Sequence, residues 1–232
     1  MTNFDNNDDL LKTTQEYVVS FVKAPITTLQ NHDLDVKGAA FLLAILPFAL
    51  FLAIWSLMNR LISTLITTIS GTFGGLGALI MPNADTLHAD AMSTINWGGM
   101  FFGALLLAAT WFALMMLIPV LLTKIFKITE KICLKQLFTQ MTALTIPMTA
   151  MSLIATILGF VGLSLWFLPM IIAVIAPILL QLFVINKTWD LKSNKTFYFV
   201  LLTQLIIIIV VGLLLASLIS GMGNSLMDGL FF

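Results

Sequence analysis

The sequence predicts an all-α fold: a polytopic transmembrane bundle of five helices, amino terminus cytoplasmic and carboxyl terminus outside, preceded by an amphipathic helix. Three observations predict it. Of the 232 residues, 59% are hydrophobic and only 9% charged, whereas a soluble domain carries about a quarter charged residues. Uncharged runs recur that reach the roughly 20 residues a helix needs to cross about 30 Å of hydrocarbon. Ten of the eleven basic residues then fall on one side of such a layout, as expected when Lys and Arg near span ends are retained in the cytoplasm.

Residues 1–9 (MTNFDNNDD) are polar and expected to be disordered. Beyond them Leu10, Leu11, Tyr17, Val18, Phe21, Val22, Ile26 and Leu29 recur at three- and four-residue steps, which sets them on one helical face interrupted by Pro25. Such a stripe suits the membrane interface, with Lys12 and Lys23 reaching toward headgroups, and equally suits packing on the protein's own cytoplasmic loops. Residues 1–38 lack the basic start and apolar run of a secretory signal, so the first hydrophobic segment is expected to stay as an anchor.

Uncharged spans follow at 39–58, 97–122, 137–160, 163–185 and 197–219, leaving 220–232 as an outer tail. Lipid offers no partner for backbone polar groups, so such runs form helices or closed barrels, and a barrel strand would alternate in polarity. Leu105-Leu106-Leu107 and Ile206-Ile207-Ile208-Ile209 do not alternate. Residues 61–81 are long enough to cross but rich in Thr, Ser and Gly. If they crossed, everything after them would invert and the charge asymmetry would vanish. They are read instead as a continuation of the first helix followed by an outer interfacial or re-entrant segment, with Gly71, Gly74, Gly75 and Gly77 as turn and close-packing residues. The inner segments then hold Lys12, Lys23, Lys37, Lys124, Lys127, Lys131, Lys135, Lys187, Lys192 and Lys195, and the outer ones hold Arg60, placed to snorkel to the outer interface. Trp97 and Trp166 open two spans on the outer side, while Trp189 and Tyr198 flank an inner loop, where amphipathic rings prefer to sit.

No Asp, Glu, Lys, Arg or His falls inside the five spans. Ionisable groups in lipid are costly and mark function where they occur. Their absence weighs against proton pumping, intramembrane metalloproteolysis and acid–base chemistry, so no catalytic residue and no cofactor is expected. Zero net charge gives no case for nucleic acid. One cysteine and two histidines do not make a closed zinc site. His88 with Asp85 and Asp90 is a weak candidate for a divalent cation, against the plainer reading of an ordinary polar loop. Cys133 lies near the membrane surface, open to palmitoylation or simply a free thiol.

The basic loop Lys124, Lys127, Lys131 and Lys135 has helical spacing and natural partners in anionic lipid headgroups, although a topology signal alone would explain it. Among the polar residues in the spans, Thr139, Gln140, Thr142, Thr145, Gln181 and Gln204 are expected to hydrogen-bond between helices, with a substrate path as the other reading. Gly99 and Gly103 form a GxxxG pair, and Gly212, Ala216 and Ser220 recur every fourth residue, marking helix packing within the chain or in a homodimer. Pro47, Pro119, Pro147, Pro169 and Pro177 are expected to kink their helices.

These features resemble the Ypt-interacting protein (Yip) domain family, in particular its bacterial branch. The resemblance rests on Phe21-Val22-Lys23-Ala24-Pro25-Ile26, an amphipathic stretch with a proline before the first span; on Asp35-Val36-Lys37-Gly38, a short Asp-x-x-Gly lead-in; and on the five-span layout with the amino end inside. Ala39 follows Gly38 where the family often has proline, and one cysteine cannot form the zinc ribbon that precedes many bacterial relatives. The resemblance implies a non-enzymatic protein of the cell membrane, acting in membrane organisation or as a scaffold whose partners are lipids, another membrane protein or a second copy. Proline kinks and the span glutamines suggest the alternative, a small-solute transporter or channel component.

Overall fold

Acidic residues at the start and Lys23 in the last turn complement the helix dipole, and helix α1 spans Asp5–Lys23. It begins inside the segment expected to be disordered, which the three aspartates of its first turns help explain. Pro25, with its fixed φ and missing N–H, opens α2 (Pro25–Asn31) and so breaks the amphipathic stripe where expected. The computed structural model describes residues 5–31, 34–72, 84–126, 133–189, 197–213 and 216.

The first apolar span lies in α3 (Val36–Thr72), whose 37 residues measure about 55 Å at 1.5 Å per residue. Asp35 caps it, its Oδ2 accepting from the Lys37 N–H at 3.3 Å. The helix runs on past the expected span into a Ser/Thr-rich second half whose hydroxyls are bonded to its own carbonyls: Thr64 donates to the Arg60 carbonyl, Thr67 to Ser63 and Thr72 to Thr68, at 2.7–2.9 Å. Residues 73–83, including the rest of the expected re-entrant segment, lie outside the described residues. Helix α4 (Ala84–Thr94) packs back on α3. Asn96 then caps α5 (Trp97–Ile125) by accepting from the Gly99 N–H at 2.9 Å.

The expected span at 137–160 is two helices, α6 (Leu134–Ala143) and α7 (Thr145–Val161), parted at Leu144. Pro147 has no N–H for the Ala143 carbonyl, and the chain tightens there, Leu144 N–H bonding Met141 O at 3.2 Å. Gly162 links α7 to α8 (Leu163–Trp189), and the last described helix is α9 (Phe197–Leu213).

Four stretches are long and apolar enough to cross a membrane: α3, α5, α6 with α7, and α8. Their most apolar windows have mean hydropathy 1.9–2.7 with only 33–39% of residues buried, so the outer faces are as oily as the core. A helix apolar all round belongs in lipid. The described part of α9, 17 residues from Phe197 to Leu213, falls short of that length, and residues beyond 216 lie outside the described residues.

Helix α3 is the hub, touching α1, α4, α5, α6, α7 and α8. The core is stacked along it in three layers. Ala39 joins the first with Phe112, Met115, Leu137, Val184 and Phe199; Leu46 and Leu50 join Ala104, Ala108 and Ala173; Ala53 joins Ala155 and Trp166.

Candidate functional site

The lysine-bearing end of the bundle is closed by α1 and α2. Tyr17 and Phe21 from α1 and Leu29 from α2 are buried in the same layer as Leu137, Met141, Val184, Ile185 and Phe199. Gly38 permits this docking. A Cβ there would stand 2.6 Å from the Thr14 hydroxyl, so only glycine lets α1 cross the start of α3 so closely. The Asp-x-x-Gly lead-in thus has two physical tasks, with Asp35 capping α3 and Gly38 admitting α1.

Docking uses only half of the apolar surface of α1. Read round the helix at 3.6 residues per turn, the buried Thr14, Tyr17 and Phe21 are followed by Leu11, Val22, Gln15 and Val19, then by Lys12 and Lys23, then by Glu16 and Ser20. Val22 is 68% exposed, Leu11 49% and Val19 44%. A second oily row therefore faces away from the protein, edged by the two lysines. The docked face of the stripe meets the helices of the bundle rather than its loops.

Inside the same end lie the three span glutamines, each about two turns from its helix terminus and buried to 6% exposure or less. Gln204 donates to Gln181 Oε1 and approaches Met115 Sδ at 3.6 Å. Thr188 Oγ1 shares its proton between Gln140 Oε1 at 3.1 Å and the Val184 carbonyl at 2.8 Å. Together these residues tie α5, α6, α8 and α9. Gln140 Nε2, Gln181 Nε2 and Ser152 Oγ are buried with no partner among the described residues.

Of the basic loop, Lys124 ends α5 and Lys135 opens α6, both exposed, while Lys127 and Lys131 lie outside the described residues. Lys124 and Lys135 thus stand on different helices. Cys133 is extended at φ −83°, ψ 99°, because the chain must leave one helix and begin another here. Its thiol is free and exposed. Among the small-residue candidates Gly103 is buried in α5, whereas Gly99 is exposed and a Cβ there would meet only Asn96. Nothing described lies within 4 Å of a Cβ at Gly212, Ala216 is exposed, and Ser220 lies outside the described residues. Gly103 is thus the one of these buried among the described residues, and a second close seam between helices is built by other residues.

Those residues are Ala53 and Ser56 on α3, Ala155 and Gly159 on α7, and Trp166 on α8. A Cβ at Gly159 would lie 2.7 Å from Ser56 Oγ and 2.9 Å from Trp166 Cδ1. Trp166 Nε1 donates to the Ala53 carbonyl at 2.9 Å, a bond made possible by that close approach. The sequence carries the signal for this seam as Ala155-x-x-x-Gly159. For the metal reading, His88 Nε2 sits 3.3 Å from the Asn59 carbonyl, and the Asp85 side chain lies outside the described residues. Among the described residues no three His, Cys, Asp or Glu side chains gather to hold a metal ion.

No family model, curated protein or solved structure compared with the chain matches it, so its site is read from its own chemistry.

Proposed function

We propose that the chain is a multi-pass protein of the cell membrane that works without catalysis, organising lipid or holding membrane partners in the manner of Yip-family proteins. In this reading α9 continues into a fifth span, the capped lysine-bearing end faces the cytoplasm and the carboxyl end lies outside. The observation that carries it is the two-faced α1. One row is docked on the bundle, and the other, Leu11, Val22 and Val19, is free beside Lys12 and Lys23. An oily row edged by lysines fits a headgroup boundary rich in anionic lipid. The bond that Gln204 donates to Gln181 supports this over the transporter reading, since amides bonded to each other serve packing rather than a passing solute.

Two experiments test it. With Cys133 replaced by serine, a fluorophore attached at Val22→Cys is expected to be quenched by brominated lipids in reconstituted vesicles, and one at Glu16→Cys is not. Equal quenching at the two sites, or none, removes the lipid contact. In intact cells, native Cys133 is expected to react with membrane-permeant maleimides and to be spared by impermeant ones; the reverse pattern inverts the orientation.

A further inference from the structure

The opposite end of the bundle holds a second polar site. A cleft of about 260 Å³ opens between α3, α4 and the end of α7, lined by Asn59, Arg60, Ser63, Thr67, His88 and Phe160. That volume is far more than a single water needs. Asn59, Ser63 and Thr67 follow one another at four-residue steps, and Arg60 stands three residues before Ser63, so all four side chains share a strip of α3. Helix α4 delivers His88 opposite them, its Nε2 3.3 Å from the Asn59 carbonyl.

The lining is rich in donors. Arg60 is half-buried, and its guanidinium is paired with no carboxylate among the described residues. Such a group presents a fixed fork of N–H donors that matches phosphate or carboxylate oxygens. The Ser63 hydroxyl and the His88 ring add polar partners, as does the Thr67 hydroxyl once it turns from the Ser63 carbonyl it bonds at 2.9 Å, and no acidic side chain is among the described lining residues.

Depth selects the ligand further. Trp55 lies five residues before Arg60, about 7 Å along the helix, and its ring meets Phe160 edge-on at 5.4 Å. Trp97 and Trp166 occupy the same end of the bundle. Tryptophans collect at the boundary between hydrocarbon and headgroups, which puts the Arg60 cleft level with phosphates, while Phe160, packed on Trp55, offers an apolar wall on the hydrocarbon side.

We propose that this cleft binds a phosphate group, with Arg60 as the charged fork and Ser63, Thr67 and His88 completing the cradle. The phosphate belongs either to a phospholipid headgroup or to free phosphate in solution. Only the lipid source rests on the membrane-spanning reading of the bundle, and neither source depends on α1, which lies at the other end.

The test uses the purified full-length chain. Native mass spectrometry with phosphatidylglycerol and with phosphate-free diacylglycerol compares the wild type with Arg60→Gln, Arg60→Lys, Thr67→Val and, as a control cation exposed at the far end, Lys37→Gln. Inorganic phosphate is added in a second arm. The expected result is retention of phosphatidylglycerol over diacylglycerol, lowered about tenfold by Arg60→Gln, less by Arg60→Lys and Thr67→Val, and unchanged by Lys37→Gln. If inorganic phosphate neither binds nor competes, the source is lipid. If it displaces the lipid, or quenches tryptophan fluorescence by itself in an Arg60-dependent way, the cleft takes free phosphate. Should Arg60→Gln fail to fold, the Thr67→Val and Arg60→Lys variants carry the comparison, since both keep the size of the side chain and the first sits on an exposed position. Equal retention of diacylglycerol, or retention indifferent to every cleft variant that folds, overturns the proposal.

Discussion

Replacing Gly159 with leucine is expected to prevent assembly of a stable bundle, and replacing it with alanine to lower the apparent melting temperature in detergent by roughly 3–10 °C. The reason is contact with groups that cannot move away. An added Cβ would stand 2.7 Å from Ser56 Oγ, 3.2 Å from Ser56 Cβ and 2.9 Å from Trp166 Cδ1. Ser56 is fully buried and bonded to the Ala53 carbonyl at 3.0 Å, and the Trp166 ring is held by its own bond to that carbonyl. Relief therefore requires α7 to back away from α3, which loosens Ala53 and Ala155 as well. Membrane helices depend on such contacts because lipid supplies no hydrophobic drive for two apolar helices to meet. Ser56→Ala removes the nearest of the three atoms and is expected to recover part of the loss caused by Gly159→Ala, a coupling of about 0.5–2 kcal/mol in a double-mutant cycle. An alanine at 159 as stable as the wild type, or one whose cost is the same with and without Ser56, would show that α3 and α7 do not meet there.

That seam shows where reading the sequence stops. Hydropathy and charge locate apolar spans because both follow from the thickness of a bilayer, and four of the five expected stretches correspond to long apolar helices. The break at Leu144 has a legible cause in Pro147, though a proline alone does not distinguish a kink from two helices. Small residues spaced by four are a weaker guide. The chain offers Gly99 with Gly103, Ala155 with Gly159, and Gly212 with Ala216, and which pair touches a neighbour depends on how each helix is rotated about its axis. The same holds for α1. Tyr17 with Phe21 and Leu11 with Val22 are both apolar rows at helical spacing, and only the close crossing of Thr14 over Gly38 decides which faces inward. The phosphate-type cleft was illegible for a different reason. Asn59, Arg60, Ser63 and Thr67 form a recognisable strip only if α3 continues as a helix past its apolar stretch, and His88 joins them only because α4 folds back.

The second large effect is expected at the glutamine pair. Gln204→Leu leaves Gln181, already short of a partner at Nε2, without a donor to its Oε1 in a site with no solvent access. A buried amide left unpaired costs about 1–3 kcal/mol in a water-soluble core, and interhelical bonds in membranes run nearer 0.6–1.7 kcal/mol, so a loss of about 1–2 kcal/mol is expected in an SDS unfolding titration. Gln181→Leu is expected to cost a similar amount by stranding Gln204, whose remaining contact is Met115 Sδ at 3.6 Å. The double variant Gln181→Leu with Gln204→Leu removes both amides at once and is expected to return close to wild-type stability, because leucine is close to glutamine in size and the buried surroundings are apolar. This cycle also separates the two functional readings. If the pair is packing glue between α8 and α9, the double variant folds, inserts and keeps the lipid contact of α1. If it lines a solute path, the double variant folds equally well but abolishes flux in reconstituted vesicles that the wild type supports. The same protein preparation thus measures the stability term and the transport term independently, and a stable double variant that has lost flux would end the case for a purely structural role.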